Sequence, residues 1–333
     1  MNKDILIKTV ARLVSPPKGI LAIDESLPTC NKRFENLGVP TTEEKRREYR
    51  ELLITAPEIE KYISGYILFD ETIKQSAKNG ENFTSILRAK GIEIGIKVDQ
   101  GTVDFLLHLG ERITKGLDGL SERLQEYKNA GATFAKWRAI YTIGENIPSR
   151  DCMKENAVSL AKYAFMCQEL DIVPIIEPEI LMDGGHSIEE CYKITAQNFD
   201  ILFSKLQDLR VFIPGVILKT SMVIPGKEAK IRVSSEKIAE MTIKCLKEHA
   251  SKDIGGIVFL SGGQSDKEAT LNLNAMHQIP ELSWPLTFSY GRAIQNEALQ
   301  SWAQNPNDIS GAQTFLVERA KANSLASVGE YKK

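Results

Sequence analysis

Residues 172–179 read Ile172-Val173-Pro174-Ile175-Ile176-Glu177-Pro178-Glu179. The apolar, largely β-branched run 172–176 suits a strand buried on both faces, and it ends in two carboxylates two positions apart. Long segments of helical period flank it, residues 154–170 before and 188–206 after. Helix, buried strand, helix is the repeating piece of a parallel sheet joined by right-handed crossovers.

Working outward, the piece recurs. Strand-like runs fall at residues 20–23, 63–69, 94–98, 133–140, 172–176, 215–218, 256–260 and 286–288. Further helical candidates lie at 43–53, 117–130, 235–249 and 267–276. Eight such strands suit a closed (β/α)8 TIM barrel better than an open sheet. The 333 residues exceed the roughly 250 of that α/β fold, and no Pro/Ser/Gly-rich linker divides them. One domain over residues 1–333 is therefore expected. Its surplus lies in an N-terminal helical segment, the stretch before Ile94 and C-terminal helices. The N-terminal helix carries Ile5, Val10, Leu13 and Val14 near helical spacing and is stopped by Ser15-Pro16-Pro17.

Composition excludes several classes. Forty-two Lys and Arg against forty-four Asp and Glu give a net charge of −2, with 42% apolar and 26% charged residues, the profile of a soluble globular chain. That balance argues against nucleic acid as the main partner. No apolar run nears the ~18 residues of a membrane span, and Lys3, Asp4 and Lys8 break up any secretory signal. A cytoplasmic location is expected. Five scattered cysteines without a Cys-x-x-Cys pair fit free thiols in a reducing compartment. His108, His186, His249 and His277 are isolated, with His186 and Glu189 the nearest approach to a ligand pair, so no metal and no cofactor are expected.

The informative feature is what each strand ends in. Asp24, Asp70, Lys97, Lys136 with Arg138, Glu177 with Glu179, Lys219, Ser261, and Ser289 with Arg292 close the eight runs in turn. Any one of them has an ordinary reading, such as a helix cap or a lysine reaching solvent along its stem. In a barrel, however, all eight carboxyl ends form one face, where active sites of this fold are built. Lys136 and Arg138 project to one side of their strand while Trp137 faces the helices; Glu177 and Glu179 share a side by the same alternation. Five cations (Lys97, Lys136, Arg138, Lys219, Arg292) thus meet three acids (Asp24, Glu177, Glu179) in a chain that is net negative. Such a mouth prefers a multiply charged anion.

Two glycine-bearing turns, Ser261-Gly262-Gly263-Gln264 and Ser289-Tyr290-Gly291-Arg292, follow the seventh and eighth strands, the customary phosphate position in barrel enzymes. Small residues there admit phosphate oxygens to backbone N–H groups, and Arg292 can clamp them. Lys97, Arg138, Lys32 and Arg33 offer cations for a second phosphate, so a sugar bisphosphate fits both ends. Several lysines in one mouth suit Schiff-base chemistry, because a neighbouring ammonium favours a free amine near neutrality.

At these residues the sequence resembles the class I fructose-bisphosphate aldolases of animal, plant and protozoan type. The resemblance runs from Gly19 to about Ser324. Its blocks include Ala22-Ile23-Asp24-Glu25-Ser26, Gly95-Ile96-Lys97-Val98-Asp99, Phe134-Ala135-Lys136-Trp137-Arg138, Glu177-Pro178-Glu179, Leu218-Lys219-Thr220-Ser221, Leu260-Ser261-Gly262-Gly263-Gln264 and Ser289-Tyr290-Gly291-Arg292. It implies a metal-independent lyase of glycolysis and gluconeogenesis that cleaves fructose 1,6-bisphosphate, and a homotetramer. It implies Lys219 as the Schiff-base amine, Glu177 as proton shuttle aided by Lys136, Asp24 as the base at the C4 hydroxyl, and Glu179 as an orienting group. The C1 phosphate falls to Ser261, Gly262 and Arg292. The C6 phosphate falls to Ser26, Thr29, Lys97 and Arg138, with Lys32 and Arg33 nearby.

The sequence also departs from that pattern. Leu27-Pro28-Thr29 stands where the family usually has Thr-Gly-Ser, so Pro28 removes a backbone donor. Thr220-Ser221 replaces the common Pro-Asn after the reactive lysine. Tyr331 follows closely on Ser324 and is not given the role of the family's tail tyrosine. Sedoheptulose 1,7-bisphosphate and fructose 1-phosphate are alternative substrates for the same catalytic set.

Overall fold

The computed structural model describes residues 1–332. Eight strands form the expected closed parallel barrel: β1 Gly19–Ala22, β2 Ile63–Leu68, β3 Glu93–Lys97, β4 Phe134–Tyr141, β5 Val173–Ile180, β6 Ile217–Thr220, β7 Gly256–Phe259 and β8 Leu286–Tyr290. Each pairs with its neighbours in sequence, and β8 closes onto β1 through Ile20↔Ser289 and Leu21↔Tyr290. The helices lie outside. Trp137 turns outward as alternation requires and packs on Tyr163 of the helix Arg150–Glu169, with ring centroids 5.5 Å apart.

The strand β5 runs four residues beyond its apolar run. Glu177, Pro178, Glu179 and Ile180 keep register with β4 from Arg138↔Glu177 to Tyr141↔Ile180. Polarity hid this extension, since inward carboxylates met by inward cations are as compatible with a strand as apolar residues are. In the opposite sense, the run 215–218 begins too early. Pro214 directs Ile213–Gly215 into a 3-10 turn, and β6 starts at Ile217.

The N-terminal helix, Lys3–Leu13, is capped by the Asn2 side chain, which accepts from the N–H groups of Asp4 and Ile5. Its apolar face closes the amino end of the barrel. Leu6, Val10, Leu13 and Val14 cluster with Ile20, Ile67, Phe134, Ile175, Ile217 and Val258 from the strand interiors. Phe134 fits because β3 carries Gly95 beside it; a Cβ on Gly95 would stand 2.2 Å from the Phe134 ring. The apolar plug fills the amino end, and the cavity lies at the carboxyl end. The two helices Arg292–Gln304 and Ile309–Ala326 supply the expected C-terminal surplus. No helix among the described residues is long and apolar enough to cross a membrane.

Candidate active site

The carboxyl ends of the strands surround a cavity of about 1170 Å³. Every site residue expected from the sequence lines it: Asp24, Lys97, Lys136, Arg138, Glu177, Glu179, Lys219, Ser261, Gly262 and Arg292, with Ser26, Thr29, Lys32 and Arg33.

At its centre Lys219, Glu177, Lys136 and Asp24 form a chain of ion pairs. Lys219 Nζ lies 3.1 Å from Glu177 Oε1, Lys136 Nζ lies 3.1 Å from Glu177 Oε2, and Lys136 Nζ lies 2.7 Å from Asp24 Oδ2. Lys136, Glu177 and Lys219 are 3%, 3% and 4% exposed, so these charges interact with little screening. Burial alone would raise the Asp24 carboxyl, but the Lys136 and Lys219 ammonium groups outweigh it and bring the group down to about 2. Burial opposes charge on Lys136 too, yet Asp24 and Glu177 prevail and hold it above the usual lysine value. Glu177 is held down, against burial, by Lys136 and then Lys219. The resting centre therefore contains ionised carboxylates and a firmly protonated Lys136.

Two ends extend from this centre. At one, Gly262 and Gly263 adopt positive φ values of 49° and 91°, and the turn exposes Ser261 and Gly262 to the cavity. A Cβ on Gly262 would stand 2.6 Å from Leu260 Cδ1, so the turn needs glycine there. Beside it the helix Arg292–Gln304 starts at Gly291 with no side-chain cap, leaving its first N–H groups to the cavity. The Ser289 hydroxyl is buried here without a protein partner.

At the other end a helix not anticipated from the sequence, Leu27–Glu35, points its uncapped N-terminus into the cavity. Pro28 occupies its first turn, where a lost N–H breaks no intrahelical bond. Ser26 Oγ and Thr29 Oγ1 lie 3.1 Å apart at its start. Three of the cations here already have partners: Arg138 pairs with Glu179, Arg33 with Glu25, and Lys97 Nζ donates to Asp99 Oδ1 at 2.6 Å.

Three participants escaped the sequence reading. Asp99 also accepts from the Gly101 N–H and, through Oδ2, from the Arg138 N–H at 3.2 Å each. Glu25 holds both Arg33 and Arg50, the latter at 2.9 Å. Gln295 donates to the Ala22 carbonyl and accepts from Tyr49 Oη at 2.8 Å. Asp99 and Glu25 lie within quoted blocks and adjoin assigned residues; Gln295 carried no local signal. Tyr331 lies elsewhere, its N–H donating to Asn274 Oδ1 at 3.0 Å beside the helix Asp266–Met276.

The family described as fructose-bisphosphate aldolase class-I matches residues 5–333. The chain belongs to the class-I fructose-bisphosphate aldolase family. It is 50% identical over 333 residues, the full length of both chains, to a probable class 1 aldolase of Xanthomonas axonopodis pv. citri. It is 46% identical over 328 residues to cytosolic fructose-bisphosphate aldolase 4 of Arabidopsis thaliana, covering 98% of this chain and 84% of that one. The Plasmodium falciparum aldolase, solved in complex with TRAP and a small-molecule inhibitor, superposes with a TM-score of 0.97 at 42% identity, covering 99% of this chain and 96% of that one. As in other class-I aldolases, the chain is a lyase built on a TIM barrel.

Proposed function

We propose that the chain reversibly cleaves fructose 1,6-bisphosphate to dihydroxyacetone phosphate and glyceraldehyde 3-phosphate through a Schiff base on Lys219. The observation that carries this reading is the Lys219, Glu177, Lys136 and Asp24 chain, which lines one cavity together with the Ser261, Gly262 and Arg292 group and the Ser26, Thr29, Lys97 and Arg138 group.

Glu177 takes a proton from the Lys219 ammonium beside it, the freed amine adds to the C2 ketone, and Glu177 passes that proton to the new alkoxide to give the carbinolamine. Glu177, ionised at rest, takes a proton from the new carbinolamine nitrogen and returns it to the departing hydroxyl, which leaves as water. The resulting iminium is the electron sink. Asp24 takes the C4 hydroxyl proton; the C3–C4 bond breaks, and its electron pair flows into the iminium to form an enamine. Glyceraldehyde 3-phosphate departs, C3 of the enamine is reprotonated, and water releases dihydroxyacetone phosphate. Lys136 stays charged throughout and stabilises the carboxylates on either side. Glu179 orients Arg138, its ion-pair partner.

Ser261, Gly262 and Arg292 hold the C1 phosphate, supported by the adjacent helix N-terminus. Ser26, Thr29, Lys97 and Arg138 hold the C6 phosphate, with Lys32 and Arg33 at the rim. The entire chain acts as one domain. A homotetramer is part of the proposal, supported by the exposed apolar tip Leu106, Leu107 and Leu109, which are 94%, 75% and 97% accessible. A cytoplasmic setting is supported by the cytosolic plant relative, while a chloroplastic relative occurs as well.

The test is borohydride reduction in the presence of dihydroxyacetone phosphate, followed by peptide mass mapping. An adduct on Lys219 that disappears in Lys219→Met supports the reading. An adduct elsewhere, or none with active enzyme, overturns it.

A further inference from the structure

The strands β5 and β6 pair at Ile175↔Ile217 and Ile176↔Leu218, and their ladder goes no further. Pro178, two residues on, has no N–H with which to continue it. On its other flank β6 stays paired with β7 through Lys219↔Val258 and Thr220↔Phe259. Beyond the Ile176↔Leu218 pair, backbone pairing therefore continues along the Lys219 end of β6 on the β7 side only.

The Ser221 side chain takes over on the other side. Its Oγ donates to the Ile180 carbonyl at 2.9 Å and accepts from the Ile180 N–H at 3.1 Å. Ser221 is 6% exposed and Ile180 4%, so water competes little for these bonds. Ile180 directly follows Glu179, and Ser221 lies two residues beyond Lys219. One hydroxyl thus spans the gap that proline opens, alongside the 3.1 Å approach of Lys219 to Glu177.

We propose that Ser221 is a positioning residue, whose hydroxyl fixes the reactive lysine of β6 against the carboxylates of β5. The proposal rests on the Schiff-base reading of Lys219. It also specifies the chemistry position 221 requires: a side chain that both donates and accepts. A serine hydroxyl meets that need, an asparagine amide can, and alanine cannot. Removing the hydroxyl leaves two buried backbone groups without this partner and lets β6 shift at its lysine end.

The test compares wild type, Ser221→Ala and Ser221→Asn in fructose 1,6-bisphosphate cleavage, in the rate of borohydride-trapped adduct formation with dihydroxyacetone phosphate, and in thermal melting. In Ser221→Ala, kcat and trapping rate fall together by about tenfold to a hundredfold, the cost of a slightly misplaced reacting group. Its KM stays near wild type, because both phosphate cradles are intact. Ser221→Asn regains most of the lost rate. A Ser221→Ala enzyme with unchanged kcat and trapping rate overturns the proposal, as does a lower melting temperature with no loss of rate. An asparagine variant no better than alanine also overturns it. Should Ser221→Ala not fold, a folded Ser221→Asn decides alone: near-normal rates support the role, and alanine-scale losses refute it. Adduct on Lys219 in the wild type tests the underlying mechanism separately.

Discussion

Lys136 and Lys219 share one carboxylate, each ammonium standing 3.1 Å from a different oxygen of Glu177. Among the described residues Glu177 is the one group ion-paired with both lysines, and Lys136 continues to Asp24 at 2.7 Å. The division of labour follows: one lysine is committed to charge stabilisation by two acids, and the other has a single carboxylate to leave.

Glu177→Gln removes that bridge while preserving shape. Two buried amines then face an amide that neutralises neither. Turnover should fall by about a hundredfold to ten-thousandfold, the range for a lost proton-transfer group, and adduct formation should slow with it. Stopped-flow cleavage together with borohydride trapping measures both; near-normal trapping would move the proton shuttle to another residue.

Arg292→Ala removes the cation beside the Gly262 turn. Binding of C1-phosphorylated ligands should weaken by about 2–5 kcal/mol through the lost charge-assisted hydrogen bonds. The readout is KM for fructose 1,6-bisphosphate and Kd for dihydroxyacetone phosphate. Unchanged values would take Arg292 out of the phosphate cradle.

Gly262→Ala places a methyl 2.6 Å from Leu260 Cδ1 at a φ of 49°. The positive φ strains an alanine and either Leu260 or the turn must shift, so KM for the bisphosphate should rise severalfold while the melting temperature drops only slightly. Equal losses of stability and affinity would argue that the whole loop had collapsed.

Asp24 links charge to stability. Its carboxyl titrates at about 2 in the fold against 3.8 for the free side chain, so the unfolded chain takes up the proton first as pH falls. The stabilisation is fully present above about pH 4 and disappears between there and about pH 2, amounting to roughly 2 kcal/mol. Wild type and Asp24→Asn should differ in melting temperature at pH 6 and converge only below about pH 2. A constant difference would show that the ion pair with Lys136 is not its source.

The apolar tip supplies a test of assembly. Replacing Leu107 and Leu109 by aspartate should lower the sedimenting mass without changing the far-ultraviolet spectrum. An unaltered mass would locate the subunit contact elsewhere.

Much of the fold and of the site is legible in the amino-acid sequence. Strand ends were legible because a barrel buries its strands on both faces and releases polar side chains only at the rim, so Lys136, Glu177 and Lys219 stood out. The helix Leu27–Glu35 was not, since Pro28 and the charged Lys32-Arg33 pair obscure its period; its place emerges from Cys30 and Phe34 packing inward. Gln295 was equally silent, being a lone amide whose partners Ala22 and Tyr49 lie more than two hundred residues away in sequence. Ser221 appeared as a mild departure from a family motif, and its two bonds to Ile180 become visible only once β5 and β6 lie side by side.

The stopper formed by Leu6, Val10, Leu13 and Val14 has a kinetic consequence. With the floor filled by apolar side chains, ketose, water and both triose fragments use the mouth at the carboxyl end. The aldehyde and the water that frees the tethered fragment share that mouth, so the aldehyde leaves first. Product-inhibition patterns should accordingly be those of an ordered release, aldehyde first.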